Sequence, residues 1–147
     1  MKKNLTTIIF TTSLILLDQI SKYFFYNKGF LNNLEIIQST LNTGISRSLP
    51  IPQLITIILT IAIITLLILM YKKNKISKRV IIFLIAGAIG NLIDRIFLGG
   101  VKDFIKIFDR FPIFNLADIS INIGVILLII KELFAKGQKS SGKNKYY

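Results

Sequence analysis

Four runs of about twenty predominantly apolar residues, near 5–25, 52–71, 79–98 and 116–134, occupy more than half of this 147-residue chain. Each is long enough to cross a hydrocarbon layer ~30 Å thick as an α-helix. Inside that layer every backbone N–H and C=O must find an internal partner, a condition that separate apolar segments of this length meet only as helices. The pattern predicts an all-α membrane protein, a four-transmembrane-helix bundle. A hydrophobic content of 52% and a mean hydropathy of +0.63 are too high for an ordinary soluble domain. Length allows a single integral membrane domain, 1–136, followed by a Lys-, Ser- and Gly-rich stretch, 137–147, expected to be a disordered basic tail.

The net charge of +12 would suggest nucleic acid in a soluble protein, but here the cations sit in blocks between the apolar runs. Blocks so placed set topology, and no nucleic-acid partner is expected. Twelve Lys and Arg fall at the amino terminus, in 72–79 and from Lys131 onward, against five in the two other loops. The positive-inside rule then puts both termini in the cytoplasm. Lys2 and Lys3 before an apolar run resemble the start of a secretory signal, but Asp18-Gln19-Ile20-Ser21-Lys22 follows with no small-residue cleavage site, so the segment reads as an uncleaved first span. The long outer loop 26–51 contains Leu34-Glu35-Ile36-Ile37, strand-like, and Asn42-Thr43-Gly44, turn-like, and is expected to form a small extended, β-like platform outside the membrane.

With this topology four aspartates, Asp18, Asp94, Asp103 and Asp118, all approach the outer face. An ionisable residue within or beside a span is costly enough to imply function. The chain has no histidine and no cysteine, which removes Ser-His-Asp triads, thiol nucleophiles, disulfides and histidine-rich metal sites. Carboxylate chemistry is left, with a purely carboxylate Mg or Ca site still open.

Each polar group also has a structural reading. Asp18 and Lys22, four apart with the acid first, suit an intrahelical pair whose lysine snorkels to the interface. Gly87, Asn91 and Asp94 form one small, polar stripe on the third span, as a helix-packing seam would. Asp94-Arg95 reads as a structural ion pair or anchor. Asp103, after the Gly99-Gly100 turn, lies in a surface strand or interfacial segment, where a lone aspartate is usually only solvated. Asn115 can cap the fourth helix with Asp118 at N3. Asn122 then extends the polar face of Asp118, which should look into the bundle. Asp103 and Asp118 are the candidate catalytic pair.

The chain resembles the lipoprotein signal peptidases, the signal peptidase II family of bacterial membrane aspartyl peptidases. The resemblance rests on five pieces in family order: Asp18-Gln19-Ile20-Ser21-Lys22, Asn42-Thr43-Gly44, the stretch from Gly87 through Asn91 to Asp94-Arg95, Val101-Lys102-Asp103-Phe104, and Phe114-Asn115-Leu116-Ala117-Asp118. It implies Asp103 and Asp118 as the catalytic dyad. Asp18, Lys22, Asn42, Gly87, Asn91, Asp94, Arg95 and Asn115 match positions that support the site or contact substrate. The implied reaction removes the signal peptide from a diacylglyceryl-modified prolipoprotein, on the amino side of the lipidated cysteine, at the outer face of the bacterial cytoplasmic membrane. Lipidated precursors and membrane lipids are the implied partners, with no metal or organic cofactor. The chain departs from the family pattern at Ile45-Ser46-Arg47-Ser48. Two other functions fit the residues alone. One is a Ser-Lys peptidase using Lys22 with Ser46 or Ser48. The other is a non-enzymatic proton-coupled carrier or channel component with the carboxylates as relays.

Overall fold

The computed structural model describes residues 2–44 and 52–143, with side chains described over 5–44 and 52–135. Helix α1 (Lys2–Ser21) continues without a break into a six-residue π-helical turn, Lys22–Asn27. Strand β1 (Ile37–Asn42), helices α2 (Gln53–Lys72) and α3 (Lys78–Leu98), strand β2 (Val101–Ile105) and helix α4 (Leu116–Lys143) follow in order.

Three segments, Leu5–Asn27, Gln53–Lys72 and Lys78–Leu98, are long and apolar enough to cross a membrane. The apolar stretch of α4 is shorter, bounded by Asp118 and by Lys131-Glu132. Pairings of Gly87 with Ala117 and Ile121, and of Leu84 with Gly124, run α4 antiparallel to α3 along its length. α1, α2 and α4 each pack against α3, and three of the four helices have the length and apolarity of a span. α3 is the central one: 56% of its apolar stretch is buried, against 6% for α2. That difference follows from sequence. α3 carries Gly87 and Gly90, so neighbours come close, and a Cβ on Gly90 would stand 2.7 Å from an Asp18 carboxylate oxygen. α2 is apolar all round. Its Thr56, Thr60 and Thr65 hydroxyls donate to the carbonyls of Gln53, Thr56 and Ile61, so they satisfy themselves within the helix and need no partner across a seam.

Ser77 caps α3, its hydroxyl accepting from the Val80 N–H at 3.4 Å. Gly99, at φ 79°, ends the helix in the left-handed conformation glycine adopts without steric cost. The turn delivers the chain into β2, which pairs antiparallel with β1 through Thr40 opposite Asp103, Leu41 opposite Lys102 and Asn42 opposite Val101. Phe114 bridges the other edge of β2 at Ile105, and Phe25 of the π-turn stacks on Phe104 with ring centroids 5.1 Å apart.

One local expectation is corrected. The strand begins at Ile37, where the Leu34–Ile37 run ends, because Leu31–Ile36 are spent in turns. The helical backbone of α4 runs on to Lys143. Residues 144–147 lie outside the described residues.

Candidate active site

The four aspartates meet. β2 alternates its side chains across its two faces, which turns Asp103 inward with Val101; both are buried. Asp103 is only 1% exposed, so it is not the merely solvated loop aspartate of the structural reading. Asp118 stands in the first turn of α4 and is half-buried.

One residue holds the two carboxylates together. Asn115 Nδ2 donates to Asp103 Oδ1 at 2.6 Å. The same residue forms a reciprocal cap with Asp118, its Oδ1 accepting from the Asp118 N–H at 3.0 Å while its own N–H donates to Asp118 Oδ2 at 3.2 Å. The cap reading of Asp118 and the pairing of Asp118 with Asp103 are thus one arrangement. Asn42 Nδ2 donates to Asp103 Oδ2 at 3.1 Å, and Asn91 Nδ2 to Asp118 Oδ1 at 2.8 Å. Each of the four carboxylate oxygens accepts one amide N–H. Burial pushes the Asp103 carboxyl up to about 6, and the negative charge of Asp118 pushes the same way, against the Asn42 and Asn115 donors and the more distant Lys22.

Behind this pair lies a second charged cluster. Lys22 Nζ reaches Asp18 Oδ2 at 2.7 Å, Asp94 Oδ2 at 3.0 Å and Asn91 Oδ1 at 3.2 Å. Lys22 is 1% exposed, so the snorkelling expected from sequence does not occur. Its ammonium joins α1 to α3. Asp94 pairs with Lys22, contrary to the expected Asp94-Arg95 pair, because consecutive helical residues point to different faces. The Asp94 carboxylate also accepts from the Lys102 N–H at 3.0 Å, fixing the start of β2. Asp18 Oδ1 accepts from the Ala117 N–H at 2.9 Å, which ties α1 to the first turn of α4. Among the described residues no buried side-chain nitrogen or oxygen lacks a partner.

The clusters are linked through Asn91. Lys22 and Asn115 both donate to its Oδ1, which fixes the amide orientation and turns Nδ2 toward Asp118. Gly87 serves packing: a Cβ there would come within 2.6 Å of Ile121 Cγ1 and against the Ala117 carbonyl. Arg95 lines a cavity of about 370 Å³ between α2, α3 and α4, with Asn91, Thr60, Leu67, Ala88 and Val125 among its walls. Its carbonyl accepts from Gln53 Nε2. Asn122 faces outward, away from the bundle, so the polar face ends at Asp118.

Sequence reasoning did not single out Gln19, whose side-chain amide donates to Asp18 and to the Gly90 carbonyl, both at 3.1 Å. Its place next to Asp18 was the available signal. Ser46 and Ser48 lie outside the described residues. The three N–H bonds of Lys22 are taken up by Asp18, Asp94, Asn91 and, at 3.5 Å, the Gly90 carbonyl, leaving none for a serine. Among the described residues no group of three or more Asp, Glu, His or Cys is arranged to hold a metal ion.

Comparison with known proteins gives one family. The family described as signal peptidase (SPase) II matches residues 10–134. The chain is 36% identical over 137 residues to the lipoprotein signal peptidase of Aquifex aeolicus, covering 91% of this chain and 78% of that protein. It is 38% identical over 144 residues to the lipoprotein signal peptidase of Enterococcus faecalis, with 89% of each covered. A bacterial membrane enzyme solved by the in meso method at 2.3 Å superposes with a TM-score of 0.75 at 31% identity, covering 97% of this chain and 93% of that one. A second, solved at 1.9 Å, gives 0.73 at 34% identity, with 87% and 92% covered.

Proposed function

The chain belongs to the signal peptidase II family, and we propose that it removes the signal peptides of diacylglyceryl-modified prolipoproteins by aspartic catalysis, with Asp103 and Asp118 as the reacting pair. The observation that carries the residue assignment is Asn115, which bonds to both carboxylates at once. Two carboxylates so coupled in a poorly solvated site cannot both ionise readily and share one proton. Burial favours the proton on Asp103, the more buried member of the pair. Apparent pKa values belong to the pair.

In the reaction a water lies between the carboxylates. Asp118 takes its proton as the oxygen attacks the scissile carbonyl carbon, and Asp103 gives its proton to the carbonyl oxygen. The tetrahedral diol then collapses: the C–N bond breaks, Asp118 protonates the departing nitrogen, and a diol hydroxyl returns its proton to Asp103 as the new carboxyl group forms. Asn42, Asn91 and Asn115 hold the carboxylates rigidly, so little reorganisation accompanies the charge movement. The cavity beside Asn91 and Arg95 is walled mainly by apolar residues of three helices, the surface an apolar signal segment would need.

Both termini are cytoplasmic in this reading, and the carboxylates act at the outer face on precursors whose lipid stays in the membrane. A carrier or channel relay gives no account of why every carboxylate oxygen of the pair is tied to a fixed amide. The test uses purified protein with one precursor in lipidated and unlipidated forms. The lipidated form should be cut and the other spared. Asp103→Asn and Asp118→Asn should each abolish most turnover, the double variant should cost little more, and Ser46→Ala and Ser48→Ala should still cleave. Near-normal turnover by Asp118→Asn would reduce Asp118 to a helix cap and end the proposal.

A further inference from the structure

The end of the bundle away from the carboxylates carries a second feature. An apolar groove of about 280 Å³ lies between α1, α2 and α3, lined by Thr7, Thr11, Ile15, Tyr71, Ile81 and Ile85 among others. It follows α1 from Thr7 to Ile15, which is about 12 Å at 1.5 Å per residue and close to the ~15 Å depth of one leaflet of hydrocarbon. Ile8 at its edge is 61% exposed, so the groove is reached from the lipid side.

Cations crowd the same end. Lys72, Lys73 and Lys75 follow the groove residue Tyr71, and Lys78 and Arg79 precede Ile81. All but the half-buried Lys78 are exposed. Lys131 of α4 joins them by donating to the Lys75 carbonyl. Among the described residues Glu132 is the only acid at this end, the other six lying toward the opposite one. A topology signal alone needs the cations but not a groove ending among them. Basic side chains at the mouth of an apolar slot between spans are the chemistry that receives an anionic headgroup with its acyl chain.

We propose that this groove and the α2–α3 turn form a binding site for an anionic phospholipid of the leaflet opposite the carboxylate cluster. One acyl chain lies along Thr11, Ile15 and Ile85, and the phosphate sits among Lys72, Lys73 and Lys75. The site touches none of the reacting groups and is independent of the reaction assigned above.

The test is a thermal melt of the full-length protein in an uncharged detergent with added phosphatidylglycerol, phosphatidylcholine of the same acyl chains, or glycerol 3-phosphate. Phosphatidylglycerol should raise the melting temperature by about 3 °C or more beyond phosphatidylcholine, as binding to the folded state alone requires. Replacing Lys72, Lys73 and Lys75 together by Gln should close most of that gap. Ile8→Trp, which crowds the groove and leaves every charge in place, should close it as well, so the test survives if the triple variant folds poorly. Equal stabilisation by the two lipids would overturn the site. A gap that persists in either variant would do the same, by removing the headgroup contact or the acyl slot. Glycerol 3-phosphate matching phosphatidylglycerol would mean a phosphate site without a lipid.

Discussion

Asn115 is fully buried and serves two purposes that substitutions can separate. Asn115→Asp keeps an oxygen to cap α4 but sets a third carboxylate against Asp103, so helix content should survive while cleavage fails. Asn115→Ala loses the cap as well, at about 1 kcal/mol, and should lower both the melting temperature and activity. Asp103 makes a prediction about pH. Its carboxyl is raised to about 6 in the folded protein against 3.8 for a free side chain, so the folded state holds a proton that the unfolded chain releases. The resulting stabilisation, up to about 3 kcal/mol, is complete below pH ~4 and lost as pH rises through ~6. Melting temperature should therefore fall between pH 4.5 and 7 (about), and Asp103→Asn, which has no proton to lose there, should show a flatter curve. A curve as steep as that of the parent protein would contradict the assignment of the proton. Lys22→Met should be the most damaging single change outside the pair, because it leaves Asp18 and Asp94 buried without their cation, a loss of about 3–5 kcal/mol. Restored expression and stability in Lys22→Met combined with Asp18→Asn and Asp94→Asn would identify charge balance as the cause.

At the level of elements, α3 is an axle that accepts a neighbour on each side, and small residues set how close they come. Gly87→Ala should push the first turn of α4 away from α3, moving Asp118 with it. Overpacking of this kind costs about 1–3 kcal/mol, and the activity loss should exceed what the drop in folded protein explains, as measured by turnover per folded molecule. The helices were legible in the sequence because burial in lipid leaves a plain record: a run of about twenty apolar residues has few other uses. Strand β1 was misplaced because Leu34–Ile37 and Ile37–Asn42 are equally strand-like locally, and the choice is made by pairing with β2, a partner some sixty residues away. The buried state of Asp103 was hidden for the same reason. Its strand is covered by Phe25 stacking on Phe104 and by Phe114 along the other edge, contacts no local pattern records.

For the whole molecule, the convergence of the aspartates and the Asp18–Lys22 pair were legible in the sequence, whereas the partner of Asp94 was not. Charge asymmetry and span count bring Asp18, Asp94, Asp103 and Asp118 to one end. Which cation meets Asp94, and whether Lys22 turns inward, depends on helix rotation, and so Lys22 was expected to snorkel outward and Asp94 to pair with Arg95. Topology itself remains a prediction: a cysteine introduced at Glu35 should react with an impermeant thiol reagent on intact cells, and one at Ser77 should react only after lysis. The chain has no native cysteine, so neither measurement has a background. Outside labelling at Ser77 would invert the arrangement. The network at that end also has a consequence for biosynthesis. Its contacts run from Asp18 in the first helix to Asp118 in the last, and Ala117 and Asn115 supply bonds that no earlier segment can replace. A chain still on the ribosome with its final helix unmade has Asp103 but neither its partner nor the residue that aligns them. With Asp103 and Asp118 as the proposed reacting pair, such a nascent chain is no peptidase, and the membrane is exposed to its activity only once synthesis has passed the last helix.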